Sequence, residues 1–460
     1  MKVLVFIDHD IICRNFLMSG ALSSLVSSAD VRFVFPNDEG KRMKQSPSDL
    51  KLNAPHTLLP IDAKRQQIWR WLLFRSQLKL RRGLHEASIR RLRWSTLGWK
   101  AALLLTLAGF PLLSRGFERY TNLLLARRPA TELDELLDHD RPDVVFHPSV
   151  LEGVFINDLT QACKARHIPL VVAMNSWDNP STKRAVVGIP DYLLVWGEQT
   201  QDHAVRFVGM NRASVIPFGA AQFDILRNTP RMDRTTLLSR HGLDPSLFVV
   251  LYAGSNARTD EIAALKALDS AVSEGQLPGV AVIYRPHPWG GGGKAGQRLA
   301  GMDFKNIAID ISMLSYIEAL GRGNPGITLP DSRDTHDLLC GVDAVVSPMS
   351  TILIEAAILG KPVVVHAPTN DQGRDPLANG LPMLHFKEFL ALPDVITTRD
   401  EPGVIQAIAT LSSSTERTRR GQNLQFAARR FVASFERPWR DRIVDFVCDL
   451  PGKRHLDPPS

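Results

Sequence analysis

The sequence has little cysteine, and it lacks the local signatures of several large enzyme classes. The four cysteines lie far apart, at Cys13, Cys163, Cys340 and Cys448. Because no C-x-x-C pair occurs, we expect neither a zinc framework nor a disulfide scaffold, and the pattern is typical of a reducing compartment. The absence of H-E-x-x-H, P-loop and G-x-S-x-G motifs argues against a zinc hydrolase, an NTPase and an α/β-hydrolase. No signal-peptide pattern precedes the apolar run Val3–Ile7, so we expect a cytoplasmic protein.

Positive charge is in excess but is unevenly placed. The formal net charge of the chain is +7. The segment from Lys64 to Arg119 carries thirteen Lys and Arg residues but only two acids, Glu86 and Glu118. The rest of the chain is therefore slightly acidic, which argues against a protein that binds nucleic acid over its whole surface. We expect no nucleic-acid partner.

Two series of alternating strand and helix patterns predict the fold. The first series begins at the apolar run Val3–Ile7, followed by helical spacing over Arg14–Ser28, and the second series begins at Phe248–Tyr252. Strands and helices in strict succession imply parallel pairing of the strands. We therefore predict an α/β protein of two doubly wound, Rossmann-like domains that face a cleft.

The same pattern predicts the domain boundaries. The first domain is expected at residues 1–228 and the second at residues 235–437, because the alternation lapses from Gly219 to Arg234. An amphipathic helix at residues 438–450 could return to the first domain. Residues 451–460 have the composition of a disordered tail.

The basic segment is predicted to be a helical insertion at residues 64–128. It interleaves tryptophans with arginines, and its apolar stretch Ala101–Leu113 is too short to span a bilayer, which needs roughly 20 apolar residues. In one interpretation its apolar face packs on the domain and its arginines are solvated. In the other, which we favour, residues 64–119 rest on anionic lipid at the inner face of the cytoplasmic membrane.

The strongest local motif is S-P-M-S-T-I-L-I-E-A-A-I-L-G-K-P, which starts at Ser347 after a predicted strand. Ser350 or Thr351 is a natural N-cap for the helix that follows, and unpaired N–H groups at such a position can bind an anion. Glu355, one turn into the helix, is placed to accept hydrogen bonds from ribose hydroxyls. The alternative is that the hydroxyls only cap the helix.

Two further turns add polar groups after predicted strands. In Y-R-P-H-P-W, the two prolines restrict the backbone around His287, and Arg285 adds a permanent cation. In A-G-S-N-A-R, a glycine permits close approach while Ser255, Asn256 and Arg258 can donate hydrogen bonds. Each turn also fits an ordinary loop, but the carboxyl ends of parallel strands meet at one edge of a sheet. We therefore predict that the three turns share a phosphate-binding and nucleotide-binding site.

The R-P-H-P turn followed by S-P-x-S-T…E-A…G-K-P resembles GT-B glycosyltransferases. The resemblance is strongest to bacterial surface-polysaccharide and teichoic-acid-type transferases, including CDP-glycerol glycerophosphotransferases, and to transferases that use CMP-sugars. It implies that His287, Ser350 and Thr351 bind the phosphate and nucleotide of the donor and that Glu355 contacts the nucleotide. It covers the motifs between Phe248 and Val365, and the first half of the chain in architecture alone.

A catalytic base is expected from the first domain, among acidic or imidazole groups that follow its strands. The candidates are Glu152 and Asp178, and then Asp8 and His9. Each also fits a solvated loop residue. The triplet Asp8–Asp10 has the form of the D-x-D motif of metal-dependent transferases, but the resemblance implies a metal-independent enzyme. We expect no metal and no cofactor besides the nucleotide-activated donor.

Together these features predict a glycosyltransferase-type enzyme. It would transfer a sugar, or a glycerophosphate-like group, from a nucleotide-activated donor to a surface-polysaccharide or lipid-linked acceptor. One alternative is an isomerase like the non-hydrolysing UDP-sugar 2-epimerases, which share the two-domain architecture. Another is a non-catalytic glycan-binding protein that kept the fold.

Overall fold

The structure is a computed structural model that describes most of the chain. The described residues are 1–37, 43, 47–48, 50, 52–79, 98–99, 103, 107, 110–149, 151, 153–182, 188–255, 261–287, 302–315, 318, 331–368 and 384–453. The chain forms two compact units. The first unit comprises Met1–Asp224, Leu381–His385 and Arg430–Ser460, and the second comprises Ile225–Gly380 and Phe386–Arg429.

A seven-stranded parallel sheet, in the order β3-β2-β1-β4-β5-β6-β7, forms the centre of the first unit. Its strands are β1 (Lys2–Phe6), β2 (Asp30–Asn37), β3 (His56–Pro60), β4 (Val144–Ser149), β5 (Leu170–Met174), β6 (Tyr192–Val195) and β7 (Val215–Pro217). The inner strands β4 and β5 are buried along their whole length. Continuous burial of this kind is why β5 reads as an unbroken apolar run and not as an alternating pattern, whereas β4 also buries the polar residues His147 and Ser149.

Helices cover both faces of this sheet, and one of them comes from the far end of the sequence. The α-helices of the first unit are α1 (Asp10–Ile12), α2 (Ser23–Ser28), α3 (Ala63–Lys79), α4 (Pro111–Ala126), α5 (Thr131–Asp140), α6 (Ile156–Ala165), α7 (Asn179–Thr182), α8 (Glu198–His203) and α16 (Trp439–Lys453). Helix α16 places Trp439, Ile443 and Val447 in one buried cluster with Val3 and Val5 of β1. The first unit is therefore completed by residues that follow the second.

The second unit contains a six-stranded parallel sheet in the order β10-β9-β8-β11-β12-β13. Its strands are β8 (Phe248–Ala253), β9 (Val280–Arg285), β10 (Ile307–Ile309), β11 (Ala344–Ser347), β12 (Val363–His366) and β13 (Ile396–Thr398). The helices are α9 (Arg234–Arg240), α10 (Ile262–Ser273), α11 (Ser332–Gly341), α12 (Ile352–Ile358), α13 (Leu384–Leu390, shared with the first unit), α14 (Glu401–Leu411) and α15 (Ser414–Ala428). The predicted doubly wound, Rossmann-like α/β class is confirmed for both units.

One local prediction was wrong, and one strand was missed. The single helix expected over Arg14–Ser28 is instead a π-helical turn, Cys13–Met18, and the separate helix α2, because Gly20 between them adopts a left-handed φ of 75°. The boundary between the two units, at Asp224 and Ile225, lies inside the expected linker from Gly219 to Arg234, where Ala221–Arg227 form a 3-10 helix. Strand β3 was missed because most of its residues are exposed, which leaves no apolar pattern to read.

Candidate functional site

The three polar turns of the second unit follow neighbouring strands. Strand β8 pairs in parallel with β9 on one side and with β11 on the other. The A-G-S-N-A-R turn follows β8, the R-P-H-P turn follows β9, and the S-P-M-S-T turn follows β11. The topology therefore puts all three turns at the carboxyl edge of one sheet, beside its central strands.

The first two of these turns are in contact. The backbone N–H of Gly254 donates to the carbonyl of Arg285 at 2.8 Å. A Cβ atom added to Gly254 would lie 3.1 Å from the backbone nitrogen of His287 and 2.5 Å from Oε2 of Glu261. A side chain at this position would push the two turns apart, so the glycine is needed for their close approach.

Glu261 connects the same two turns, and sequence reasoning missed it. Its Oε1 accepts a hydrogen bond from the backbone N–H of Ser255 at 2.5 Å, and its Oε2 accepts one from the Tyr284 hydroxyl at 2.9 Å. The carboxylate thereby fixes the backbone direction of the turn that carries Ser255. Its only sequence signal is an acidic residue directly before helix α10, which is common at the first turn of helices.

Arg285 is buried and is bound by side chains of its own unit. Its guanidinium forms an ion pair with Asp310 and donates to the hydroxyls of Ser312 at 2.8 Å and Thr335 at 2.9 Å. Burial alone would raise the pKa of Asp310, but a hydrogen bond from His241 and the charge of Arg285 outweigh it and lower the pKa. The cation predicted for this turn is therefore balanced by a buried carboxylate, and it fixes the end of β9 from which His287 follows.

The third turn carries hydroxyls that the helix does not use. Thr351 is the N-cap residue of α12, but its side chain makes no capping hydrogen bond. Ser350, Thr351 and Glu355 are all half-buried. Ser347, at the end of β11, is fully buried, and its hydroxyl has no hydrogen-bond partner in the part of the chain that the structure describes. This turn thus offers donors and acceptors that a bound ligand could use.

Some predicted site residues lie outside the described residues. These are Asn256 and Arg258 of the first turn and the candidate base Glu152. Their assigned roles stay predictions.

Asp8 of the first unit is fully buried at the carboxyl end of β1. Its Oδ2 accepts a hydrogen bond from the backbone N–H of Val154 at 2.9 Å. A Cβ atom on Gly153 would lie only 2.1 Å from the same oxygen. Its Oδ1 has no hydrogen-bond partner among the described residues. Asp8 is therefore packed against the backbone at Gly153 and Val154 and is not the solvated loop acid that the alternative predicted.

A histidine that sequence reasoning missed lies beside Asp8. His147 is fully buried on β4, the strand next to β1, and its Nε2 is 4.0 Å from Oδ2 of Asp8. Its Nδ1 is 3.0 Å from the carbonyl oxygen of Phe6, and only a protonated nitrogen can bond there. Burial lowers the pKa of His147 more strongly than the nearby Asp8 carboxylate raises it.

The His147–Asp8 pair also contains two buried polar atoms whose partners are not shown. Neither Nε2 of His147 nor Oδ1 of Asp8 has a hydrogen-bond partner among the described residues. In the neutral ring, Nε2 of His147 carries a lone pair and can accept a hydrogen bond from an O–H donor. The sequence signal of this pair is a histidine within the apolar run V-V-F-H-P-S.

The other two candidate bases have local partners. His9 is the N-cap of α1, and its Nδ1 accepts from the backbone N–H of Ile11 at 3.2 Å. Asp178 follows β5 and is half-buried, and its Oδ1 accepts from Nδ2 of Asn179 at 3.2 Å. Asp178 and the buried Asp8 thus lie at the same edge of the sheet, after β5 and β1 respectively.

The described residues contain no group of three or more His, Cys, Asp or Glu residues arranged to hold a metal ion. No helix in the described ranges is both long enough and apolar enough to cross a membrane.

No protein-family model matches the sequence, and no curated protein matches it. Solved structures do match. The UDP-GlcNAc 2-epimerase of Methanocaldococcus jannaschii is 12% identical, with a TM-score of 0.52, and the match covers 97% of this chain and 99% of that one. The S. aureus MnaA–UDP co-structure is 12% identical with a TM-score of 0.54, covering 100% and 99%. The Neisseria meningitidis UDP-GlcNAc 2-epimerase bound to UDP-GlcNAc is 14% identical with a TM-score of 0.50, covering 98% and 100%.

At this level of identity the matches establish architecture. They extend over nearly the whole chain, including both parallel sheets. The finer resemblance to CDP-glycerol and CMP-sugar transferases stays a prediction. The chain has the two-domain, Rossmann-like GT-B α/β fold.

Proposed function

We propose that the chain is an enzyme that acts on a nucleotide-activated sugar and binds the nucleotide in its second unit. One observation carries this proposal: three turns rich in hydroxyl, imidazole and backbone N–H groups follow the adjacent strands β9, β8 and β11. In open α/β sheets, ligands bind outside the carboxyl ends of the strands. The UDP and UDP-GlcNAc named for two of the structural neighbours are consistent with this ligand class.

In this proposal the half-buried residues contact the donor and the buried ones hold the turns in place. His287, Ser350 and Thr351 bind the phosphates, and Glu355 accepts hydrogen bonds from the ribose. Donors aimed at a phosphoryl oxygen stabilise the negative charge that develops as the nucleotide leaves. Arg285 and Glu261 serve as positioning residues, because both are engaged within the unit.

The acid–base chemistry is assigned to the carboxyl edge of the first sheet. Asp178 is half-buried there, and in the sequence Glu152 directly precedes Gly153 and Val154, whose backbone Asp8 contacts. We assign the general base to one of these two carboxylates. Asp8 would then hold the backbone at Gly153 and Val154 in place, and His9 caps its own helix.

Two reactions fit this site. Group transfer to a surface-polysaccharide or lipid-linked acceptor is the first, and it is the reaction implied by the R-P-H-P and S-P-x-S-T motifs. Epimerisation of a UDP-sugar is the second, and it is favoured by the names of the structural neighbours. Both reactions require the same nucleotide site.

A thermal-shift panel of CDP, CMP, UDP, GDP and dTDP and their sugar conjugates tests the nucleotide site that both reactions require. We expect one nucleotide to raise the melting temperature and expect the shift to shrink in His287→Ala and in Glu355→Ala. His139→Ala and Glu274→Ala, two exposed residues elsewhere, are matched controls that should keep the full shift. If none of the nucleotides stabilises the protein, the proposed function is wrong.

Incubation with the preferred nucleotide-sugar, without any acceptor, separates the two reactions. An epimerase converts the sugar into an isomer that retains its nucleotide. A transferase leaves the donor unchanged until an acceptor is added, apart from slow hydrolysis. Product analysis by NMR distinguishes these outcomes.

A further inference from the structure

The exposed apolar side chains are concentrated in one segment of the first unit. Thirteen large hydrophobic side chains are exposed among the described residues, and seven of them lie between residues 99 and 123. These seven are Trp99, Leu103, Leu107, Phe110, Leu113, Tyr120 and Leu123. Single exposed hydrophobics are normal on a protein surface, but a concentration of this kind marks an interaction site.

Helix α4 has two apolar faces, and only one of them is used by the fold. Thr121 and Leu125 are buried on one face, where Leu125 packs with Ile68 and Trp69 of α3. Helix α3 is fixed in turn to the first unit by a buried ion pair between Arg65 and Asp158. The inner face of α4 is therefore anchored.

The second apolar face of α4 is exposed. Leu113, Tyr120 and Leu123 are 56%, 55% and 49% exposed, and Phe110, just before the helix, is 56% exposed. Spacings of seven and three residues place Leu113, Tyr120 and Leu123 on one side of the helix. This stripe, together with Phe110, is called the outer face below.

Two arginines border the outer face. Arg119 and Arg127 are exposed and lie four residues before and four residues after Leu123, whereas Glu118 is the only acid in the helix. A helix with an apolar stripe, an aromatic ring and flanking arginines has the chemistry of one that lies in the interface of an anionic bilayer. Two copies of the face would bring like charges together, which disfavours self-association.

We propose that the outer face of α4 docks on an anionic lipid surface, with the helix lying parallel to the membrane. The apolar residues insert at headgroup depth, and the arginines contact lipid phosphates. This places the interaction on α4 specifically and not on the whole basic segment. It is independent of the reaction proposed above, since it concerns a different surface and a different ligand.

Vesicle flotation of the full chain tests the proposal. We expect binding to vesicles that contain phosphatidylglycerol, little binding to pure phosphatidylcholine, and weaker binding at high salt. Leu113→Asn/Leu123→Asn should weaken binding by about tenfold or more. Arg119→Gln/Arg127→Gln should weaken it by roughly fivefold per arginine.

The matched control is Phe426→Asn. Phe426 is 72% exposed on α15 of the second unit, and the Arg429 guanidinium lies over its ring at 5.6 Å. This variant removes an even more exposed apolar group beside an arginine and should leave vesicle binding unchanged. Circular dichroism and the melting temperature verify that each variant is folded.

Three outcomes would overturn the proposal. The first is no binding of the wild type to anionic vesicles, and the second is an equal loss in the Phe426→Asn control. The third is a wild-type dimer in light scattering that Leu113→Asn/Leu123→Asn dissociates, without vesicle binding, because the occupant would then be a second copy of the chain.

Discussion

The two parallel sheets present very different side chains at their carboxyl edges. In the first unit, the edge residues Asp8 and His147 are fully buried, and Gly153 packs against the carboxylate. In the second unit, Ser255 and His287 at the corresponding edge are half-buried. The same βαβ architecture thus supports a closed polar pair in one unit and a set of open polar turns in the other. In the proposed function, burial more than residue type separates the supporting groups from the ligand-binding ones.

Replacing Arg285 tests whether a buried group supports the site or binds the ligand, and it has the largest expected effect on the unfolding free energy. Arg285→Met leaves the buried Asp310 without its cation, and we expect a loss of roughly 3–5 kcal/mol in unfolding free energy. Arg437→Met breaks an exposed pair with Asp445 and should cost less than about 1 kcal/mol. Urea denaturation measures both. The opposite outcome is that Arg285→Met destabilises the protein no more than Arg437→Met but abolishes the rise in melting temperature on nucleotide binding. Arg285 would then bind the donor directly, as its sequence motif predicted.

Adding one methyl group tests whether the edge of the first unit is closed. In Gly153→Ala the new Cβ would lie 2.1 Å from Oδ2 of Asp8, so we expect a destabilisation of about 2–3 kcal/mol. Gly116→Ala is the control, because no atom lies within 4 Å of its added Cβ and alanine favours the helix by up to about 1 kcal/mol. Thermal unfolding with and without nucleotide is the measurement. Equal stabilities for the two variants would mean that Asp8 can move away from the turn.

The smallest expected effect is on pH dependence. Since burial lowers the pKa of His147 in the folded state, the unfolded chain binds a proton that the folded chain does not. Stability should therefore fall as the pH decreases below about 6.5, the pKa of an unperturbed histidine, by at most about 1.4 kcal/mol per pH unit for one group. His147→Asn keeps a donor for the Phe6 carbonyl but cannot titrate, so its melting temperature should depend less on pH between 5 and 6.5. An unchanged slope would contradict the assignment of a neutral, buried ring.

The fold was predictable where a strand is buried on both faces. Runs such as Val3–Ile7 and Leu170–Met174 are short and rich in β-branched residues, which favours a strand. Their alternation with helical patterns along the chain implied the parallel sheets. Strand β3 is largely exposed, and the Cys13–Met18 turn depends on the backbone conformation of Gly20. Neither feature leaves a periodic signal in the sequence.

The candidate site was predictable as a set of turns but not as a set of contacts. The sequence placed the turns of Ser255, His287 and Ser350 at one edge of the sheet, because the carboxyl ends of parallel strands meet there. That their strands are adjacent is seen only in the structure. The contact of His147 with Asp8 joins residues far apart in sequence, and so does the pairing of Arg285 with Asp310. Such pairs depend on side-chain direction and burial, which one sequence does not reveal.

Helix α16 has a consequence for how the protein is made. Its residues Trp439, Ile443 and Val447 fill the core beneath β1, yet a ribosome synthesises them only after every residue of the second unit. Until then, the apolar side of the first sheet that α16 covers stays open, while the second unit already has all of its strands. The earlier-made half must therefore finish folding last, and its exposed core during that interval is a target for chaperones and a risk for aggregation.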